Sequence, residues 1–441
     1  MAPTAMMRVM SSTAELVNPI PADEIDGWAR SMGTTFLRPP DHGDPWIAGV
    51  RRLWNPARAW GARERGRWVA TLRTEERHLT VPGAGDDTAD LAVDALTNVT
   101  VAATHRRRGL MSAMLTDALT QARDRGDPLS ILIAAEWPIY GRFGYAPATL
   151  AADYVLHRSR RGSTPPGDPG RVRQVDRETF GDVAPAVFDA ARRERAGQVD
   201  RDPPWWDRVL GRDGYAPSPT LPHNWFVHEG DDGPDGLVAW TAAGPSGLVP
   251  PLGWIDVWGL TSASPAAYRD LWAYLSGIDG IDQVRAADRP VDEPVRWLLP
   301  DARTLVMTQQ VDLLWLRLLD VPAALSARRY AVAGAVVLEV VDDDPPGGVT
   351  GRYALRAGAG AGAESEAGTG TGGGGPVHCE RTEAAADLII TQRALASIYL
   401  GGFRLRELLV AGAATERTPG ALALVDLMFS TSRAPWNTTW F

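Results

Sequence analysis

Three consecutive arginines, Arg106, Arg107 and Arg108, stand directly before Gly109 and an amphipathic stretch that opens at Leu110. The segment before them, residues 95–104, has the β-branched character of a strand, so the basic run lies at a strand-to-helix junction. Backbone N–H groups at a helix start have no intrahelical acceptor and carry partial positive charge. They grip a diphosphate where the backbone can come close, and Gly109 permits that because it has no Cβ. The guanidinium groups add bidentate partners for phosphate oxygens. A solvated basic turn would also carry three arginines. The strand before, the glycine at this offset and the helix after favour the anion site.

The elements that must position this turn are readable nearby. Residues 67–80 alternate as a strand does, and a turn-rich break follows over 82–87. Leu110, Met111, Met114, Leu115, Ala118, Leu119 and Ala122 recur at helical spacing over 110–125, with Gly126 at the stop position. Residues 129–135 (LSILIAA) read as a buried strand. This first α/β unit ends at about 157, and a proline-rich hydrophilic linker over 157–170 follows. A second α/β region covers 171–300, with helical patches at 179–196 and 265–276 and a short strand at 236–240. A third covers 301–441, with strands at 313–318, 334–341 and 352–355 and helices at 391–399 and 421–429. Its Gly-rich stretch, 357–375, has almost no side chains to bury and is expected to be a mobile loop.

Composition narrows the chemistry. At 441 residues the chain is long enough for about three domains, and its 44% hydrophobic content is ample for packed cores. No run approaches the ~18 apolar residues of a membrane span. The first fifteen residues hold Arg8 but no signal-peptide core, and read as a frayed leader on a cytoplasmic protein. The single cysteine, Cys379, excludes an internal disulfide and a Cys-rich zinc site, and no metal is expected. All 45 basic residues are arginine, which excludes a Walker lysine, a pyridoxal Schiff base and a Ser-x-x-Lys nucleophile pair. A net charge of −9 speaks against nucleic acid and is compatible with a cationic small-molecule substrate.

The run Arg106-x-x-Gly109-x-Met111 resembles the coenzyme A pyrophosphate loop of GNAT acetyltransferases, with Met111 in place of the usual small final residue. VAATHRRRGLMSAM, PLSILIAAEWPIYGRFGYAPAT (128–149), VDLLWLRLLDVPAALSARRYA (311–331) and the terminal phenylalanine together resemble the enhanced intracellular survival (Eis) branch of that superfamily. The resemblance implies an α+β architecture of a GNAT domain (1–157), a degenerate second GNAT-like domain (171–300) and a sterol-carrier-protein-like domain (301–441). It also implies acetyl-CoA as cosubstrate, a homohexamer, and an amine acceptor of the aminoglycoside kind. Carried over by position, Val99 and Val101 hold the pantetheine arm, and Arg106, Arg107, Arg108 and Gly109 hold the pyrophosphate. Tyr140 is the general acid, and the Phe441 α-carboxylate is the base. Ala135 stands where the family can place a serine near the cofactor.

Acyl transfer from a thioester to an amine needs a neutral amine and a proton for the departing thiolate. A phenol of pKa ~10 can supply that proton, and Tyr145 competes with Tyr140 for the role. A terminal carboxylate of pKa roughly 3.5 is a weak base unless partly buried, although its charge attracts an amine. The terminus 434–441 (APWNTTWF) carries Trp436, Trp440 and Phe441, rings that a free tail would not expose, so an anchored end is expected. Phe36, Trp46, Trp54 and Trp60 are candidates for the acceptor cleft and equally for core packing. Asp41, Asp44 and Glu76 are candidates for receiving ammonium groups. A protein lysine, a biosynthetic intermediate, or non-catalytic binding of an acyl-CoA are the alternative readings.

Overall fold

The computed structural model describes residues 14–38, 44–83, 88–158, 164–212, 224–244, 253–341, 349–358 and 376–441. The first unit runs β1 (Glu15–Val17), α1 (Ile25–Thr35), α2 (Asp44–Arg52), β2 (Ala59–Glu64), β3 (Arg67–Pro82) and β4 (Thr88–Val101). It continues with α3 (Leu110–Asp124), β5 (Leu129–Ile133), α4 (Trp137–Tyr140) and β6 (Ala146–Pro147). The long antiparallel pair of β3 and β4 forms its spine. Helix α3 buries Leu110, Met114, Leu115, Ala118, Leu119 and Ala122, the stripe that the spacing predicts, each large side chain contributing roughly 1.5–3 kcal/mol. Met111 stays at the edge of that cluster.

The second unit runs β7 (Leu150–His157), β8 (Val172–Val175), α5 (Arg177–Arg192), α6 (Pro203–Val209), β9 (Asn224–Gly230) and β10 (Gly233–Ala243). It continues with β11 (Gly253–Ser262), α7 (Pro265–Gly277), β12 (Ile281–Arg289), β13 (Leu305–Asp312) and β14 (Leu314–Leu318). The first sheet has the order β1-β2-β3-β4-β5-β14-β6, and the second β13-β7-β12-β11-β10-β9-β8. The two units therefore exchange strands. Residues 150–157, read from sequence as the end of the first unit, are an inner strand of the second sheet. Residues 305–318, read as the start of the third region, supply an edge to the second sheet and an inner strand to the first. Local pattern could not reveal this, because β-propensity says that a segment is a strand but not which sheet it joins. The fully buried run of β14 does fit its place between two neighbours.

The third unit holds α8 (Val321–Ala327), β15 (Gly334–Val341), β16 (Gly351–Ala357), β17 (Val377–Arg381), β18 (Leu388–Thr391), α9 (Gln392–Ile398), α10 (Leu405–Val410), β19 (Ala414–Glu416) and α11 (Ala421–Met428). Its sheet has the order β17-β16-β15-β18-β19. It shares one apolar core with the first unit: Leu314, Leu316 and Leu318 of β14 cluster with Leu338, Val340 and Leu395. Of the Gly-rich stretch, residues 359–375 lie outside the described residues. Among the described residues no helix is long and apolar enough to cross a membrane.

Candidate active site

The decisive local feature is a wedge in the first sheet. Strands β4 and β5 pair in parallel only at Asp94–Ser130 and Ala95–Ile131. Beyond that point β4 runs on to Val101 without this neighbour, while β5 pairs along its other edge with β14. A bulge aids the divergence: the β3–β4 register shifts between Thr71 and Arg73, where Asn98 adopts a positive φ of 54°. Asparagine tolerates that conformation. The bulge is fixed by the Thr71 hydroxyl, 2.9 Å from the Asn98 carbonyl, and by Arg73 Nε, 3.1 Å from Asn98 Oδ1. Ala102 N–H donates to the Val69 carbonyl on β3 at 2.8 Å. By strand alternation the amides of Val101 and Val99 face the other way, into the open wedge.

The wedge leads to the start of α3. Gly109 caps that helix in the left-handed conformation, φ 77°, and no side chain accepts from its first N–H groups. A Cβ at Gly109 would meet nothing within 4 Å, so backbone conformation, not crowding, is what calls for glycine here. The three arginines are exposed but not equivalent. Arg108 pairs with Glu64 at 3.2 Å, and His105 holds the same carboxylate at 2.9 Å. Arg106 and Arg107 form no ion pair among the described residues and remain available to an anion.

Tyr140 packs in the cluster that contains Leu96 and Leu132, with Val99 and Val101 against it. Burial pushes its phenol up to about 12, and its hydroxyl makes no hydrogen bond among the described residues. Tyr145 differs. It is fully buried, its hydroxyl lies 2.6 Å from Ser130 Oγ, and burial raises its pKa further. Ala135 is exposed between β5 and α4. Cys379 is buried and its thiol is pushed up to about 12, which leaves it unreactive.

The anchored end is present. Trp436 N–H donates to the Ala196 carbonyl at 3.0 Å, and Gly197, φ 94°, makes room, because a Cβ there would stand 2.9 Å from Trp436 N. Thr439 Oγ1 donates to the Val199 carbonyl at 2.7 Å, and Trp205 Nε1 donates to the Trp440 carbonyl at 2.7 Å. The segment that receives the tail is itself tied to β3, through Thr80 N–H to the Gln198 carbonyl at 2.8 Å. The terminus is thus held at the seam between the first two units. There it helps line a cavity of about 500 Å³ together with Thr97 and Asn98 of the β4 bulge, Met32 and Val50 of the first two helices, and a set of second-unit side chains. Phe441 lines this cavity. Tyr140 does not; it belongs to the wedge, and residues 97–99 join the two.

The acceptor candidates read from sequence are placed otherwise. Trp60 is core, its Nε1 donating to Asp117 at 2.7 Å, while Trp46 and Trp54 pack with Trp28. Phe36 is exposed outside the cavity lining, and Glu76 sits on the surface 3.5 Å from Arg58. Asp41 and the Asp44 side chain lie outside the described residues. Trp205, Trp206, Trp225 and Trp258 supply the aromatic wall instead, and among the described residues the charged side chains of the lining are Arg73, Arg201, Arg208 and Arg289 against Asp288. Among the described lining residues arginine outnumbers acid although the whole chain is acidic, since net charge says nothing about where charges stand. The Trp205–Trp206 pair, in RDPPWWDR, was the overlooked sequence signal.

Comparison with known proteins identifies the units of this fold. Two models described as acetyltransferase (GNAT) domain match residues 17–148 and 197–318, and a sterol carrier protein domain model matches 321–438. N-acetyltransferase Eis of Mycobacterium tuberculosis is 32% identical over 360 residues, 80% of each chain. The chain belongs to the Eis family of GNAT N-acetyltransferases. Along nearly its whole length this Eis-family enzyme is also similar to an uncharacterized N-acetyltransferase of Streptomyces griseus, 38% identical over 432 residues, 95% of this chain and 98% of that one. The crystal structure of Eis1 from Mycobacterium abscessus superposes with a TM-score of 0.78 at 28% identity, covering 97% of this chain and all of that one. Strand β7 falls between the two GNAT matches, and β14 lies inside the second match although it pairs in the first sheet.

Proposed function

We propose that this Eis-family N-acetyltransferase moves the acetyl group of acetyl-CoA directly onto an amine of a small molecule within a ternary complex. The observation that carries this reading is the wedge between β4 and β5 opening onto the uncapped start of α3. Val99 and Val101 amides hold the pantetheine arm, and the pyrophosphate lies on the amides after Gly109 beside Arg106 and Arg107. Arg108 joins them on release from Glu64. The amine nitrogen bonds to the thioester carbon, the C–S bond breaks, and Tyr140 protonates the departing sulfur. A phenol near 12 is a weak acid, but the same dry surroundings raise the proton affinity of the thiolate in parallel. The Phe441 α-carboxylate takes the proton lost by the ammonium, aided by its place on the cavity wall.

A concave space of about 500 Å³ suits a small molecule better than a protein surface. An aminoglycoside is the acceptor to which the resemblance points, while the arginine-rich lining favours a less positive amine. We further read the enzyme as a cytoplasmic homohexamer that binds neither nucleic acid nor membrane. Calorimetry of acetyl-CoA binding, followed by a thiol-release screen of aminoglycosides, polyamines, amino acids and peptides, tests the reading. Micromolar binding with acceptor-dependent thiol release is expected, and absence of acetyl-CoA binding overturns it.

A further inference from the structure

Within the cavity lining, the four arginines are not equally compensated. Arg73 is paired with Glu75, and Arg289 with Glu293 at 2.7 Å. Arg208 stands close enough to Glu75 to help lower that carboxyl's pKa. Arg201 has no such partner: among the described residues no carboxylate reaches ion-pair distance of it. Its guanidinium lies 3.8 Å from the ring centre of Phe188 and 4.0 Å from that of Trp205. Its Nε donates to Thr439 Oγ1 at 3.2 Å and its Nη2 to the Thr438 carbonyl at 3.0 Å. Among the described residues Nη1 makes no hydrogen bond. Burial without an anion holds this guanidinium below its usual pKa. A cation kept in that state is costly unless something negative is brought to it.

Asp288, whose carboxyl lies 3.3 Å from Trp440 Nε1 and is raised by burial, and the chain terminus supply the negative side of the same space. Aromatic rings of Trp205, Trp225 and Trp258 lie along the wall. Taking the cavity to be the acceptor site of the reading above, we infer that its acceptor is an alkyl amine that carries both an aromatic ring and a carboxylate, with that carboxylate on Arg201, the ring against the tryptophans and the amine toward Asp288 and the terminus. Specificity then comes from a group that a polycation lacks. A cationic sugar leaves Arg201 uncompensated and adds like charge to it.

The test is calorimetric titration of the full-length protein, with coenzyme A present and absent, by matched ligands: L-tryptophan against tryptamine, 4-(aminomethyl)benzoate against benzylamine, and kanamycin. In each pair the carboxylate-bearing member is expected to bind about 10- to 100-fold more tightly, as a charge-assisted pair in a desolvated site does. Arg201→Gln should erase that ratio and Arg201→Lys should keep part of it. Should Arg201→Gln fail to fold, the wild-type ratio and Arg201→Lys decide. Equal or tighter binding of the decarboxylated amines or of kanamycin overturns the inference, as does no binding of either member, or a ratio that survives Arg201→Gln. Because binding is read and not thiol release, a carboxylate preference without turnover upholds this site while removing the transferase reading. Turnover without preference does the reverse.

Discussion

The two acetyltransferase-like units share a frame and differ at one end of it. In the first, β4 and β5 separate after two paired positions, and α3 begins at an uncapped glycine with open amides. In the second, β11 and β12 pair from Gly253–Ile281 to Val257–Ala286. Helix α7 is closed by Ser264, whose Oγ accepts from Ala267 N–H at 3.0 Å, and Pro265 stands in its first turn. Strand β11 also runs on past its last pair with β12, to Ser262, so the second unit keeps a divergence of strands but has lost the free amides that a diphosphate needs. What it contributes instead is a wall, from Arg201 to Trp258 and Asp288, facing the bulge of the first unit. On the proposed reading, duplication of the fold divides donor site from acceptor site, and the strand exchange of β7 and β14 fixes the two units to each other.

Tyr140→Phe should break the first unit most severely. Loss of a positioned general acid costs about 10²–10⁴ in turnover, with acetyl-CoA affinity nearly intact by calorimetry. Its pKa of about 12 means that the phenol keeps its proton throughout the neutral and alkaline range. Activity should therefore rise with pH as the amine loses its proton, and the wild type should show no alkaline fall until the pH nears 12. A fall at lower pH would assign the acid to another group.

One extra residue after Phe441 should come next. Displacing the terminal carboxylate from the cavity should cut kcat by about 10²-fold or more, on the scale of losing a catalytic base. Acetyl-CoA binding should not change. A fully active extended enzyme would remove the terminus from the mechanism.

Gly109→Ala sharpens the comparison of helix starts. A left-handed alanine costs about 1–2 kcal/mol, so a turn that relaxes away from that conformation loses the aim of its amides and the acetyl-CoA Kd should rise about tenfold. The smallest effect belongs to Ser264→Ala at the equivalent point of the second unit, with about 1 kcal/mol of stability lost and no change in acetyl-CoA affinity. Altered affinity in that variant would mean that the second unit still takes part in cofactor binding.

Much of this arrangement was legible early. The α3 stripe, the strand before it and the glycine between them are local patterns, and local patterns reach the chain through backbone conformation alone. Tyr145 could be separated from Tyr140 only by seeing Ser130 against its hydroxyl. Trp60 stood equally as a cleft or a core residue because an aromatic's partners are distant in sequence; its partner, Asp117, is 57 residues away.

By itself the sequence determined the strand–Gly109–helix turn, the family, and an aromatic chain end that water would not keep. These depend on residue type and short spacing. Only the tertiary structure decided which sheet β7 and β14 join, that the tail is clamped by 195–201 of the second unit, and that the cavity is lined by arginine although the whole chain is acidic. Long-range pairing and desolvation settle those questions, and neither is encoded in any single stretch of residues.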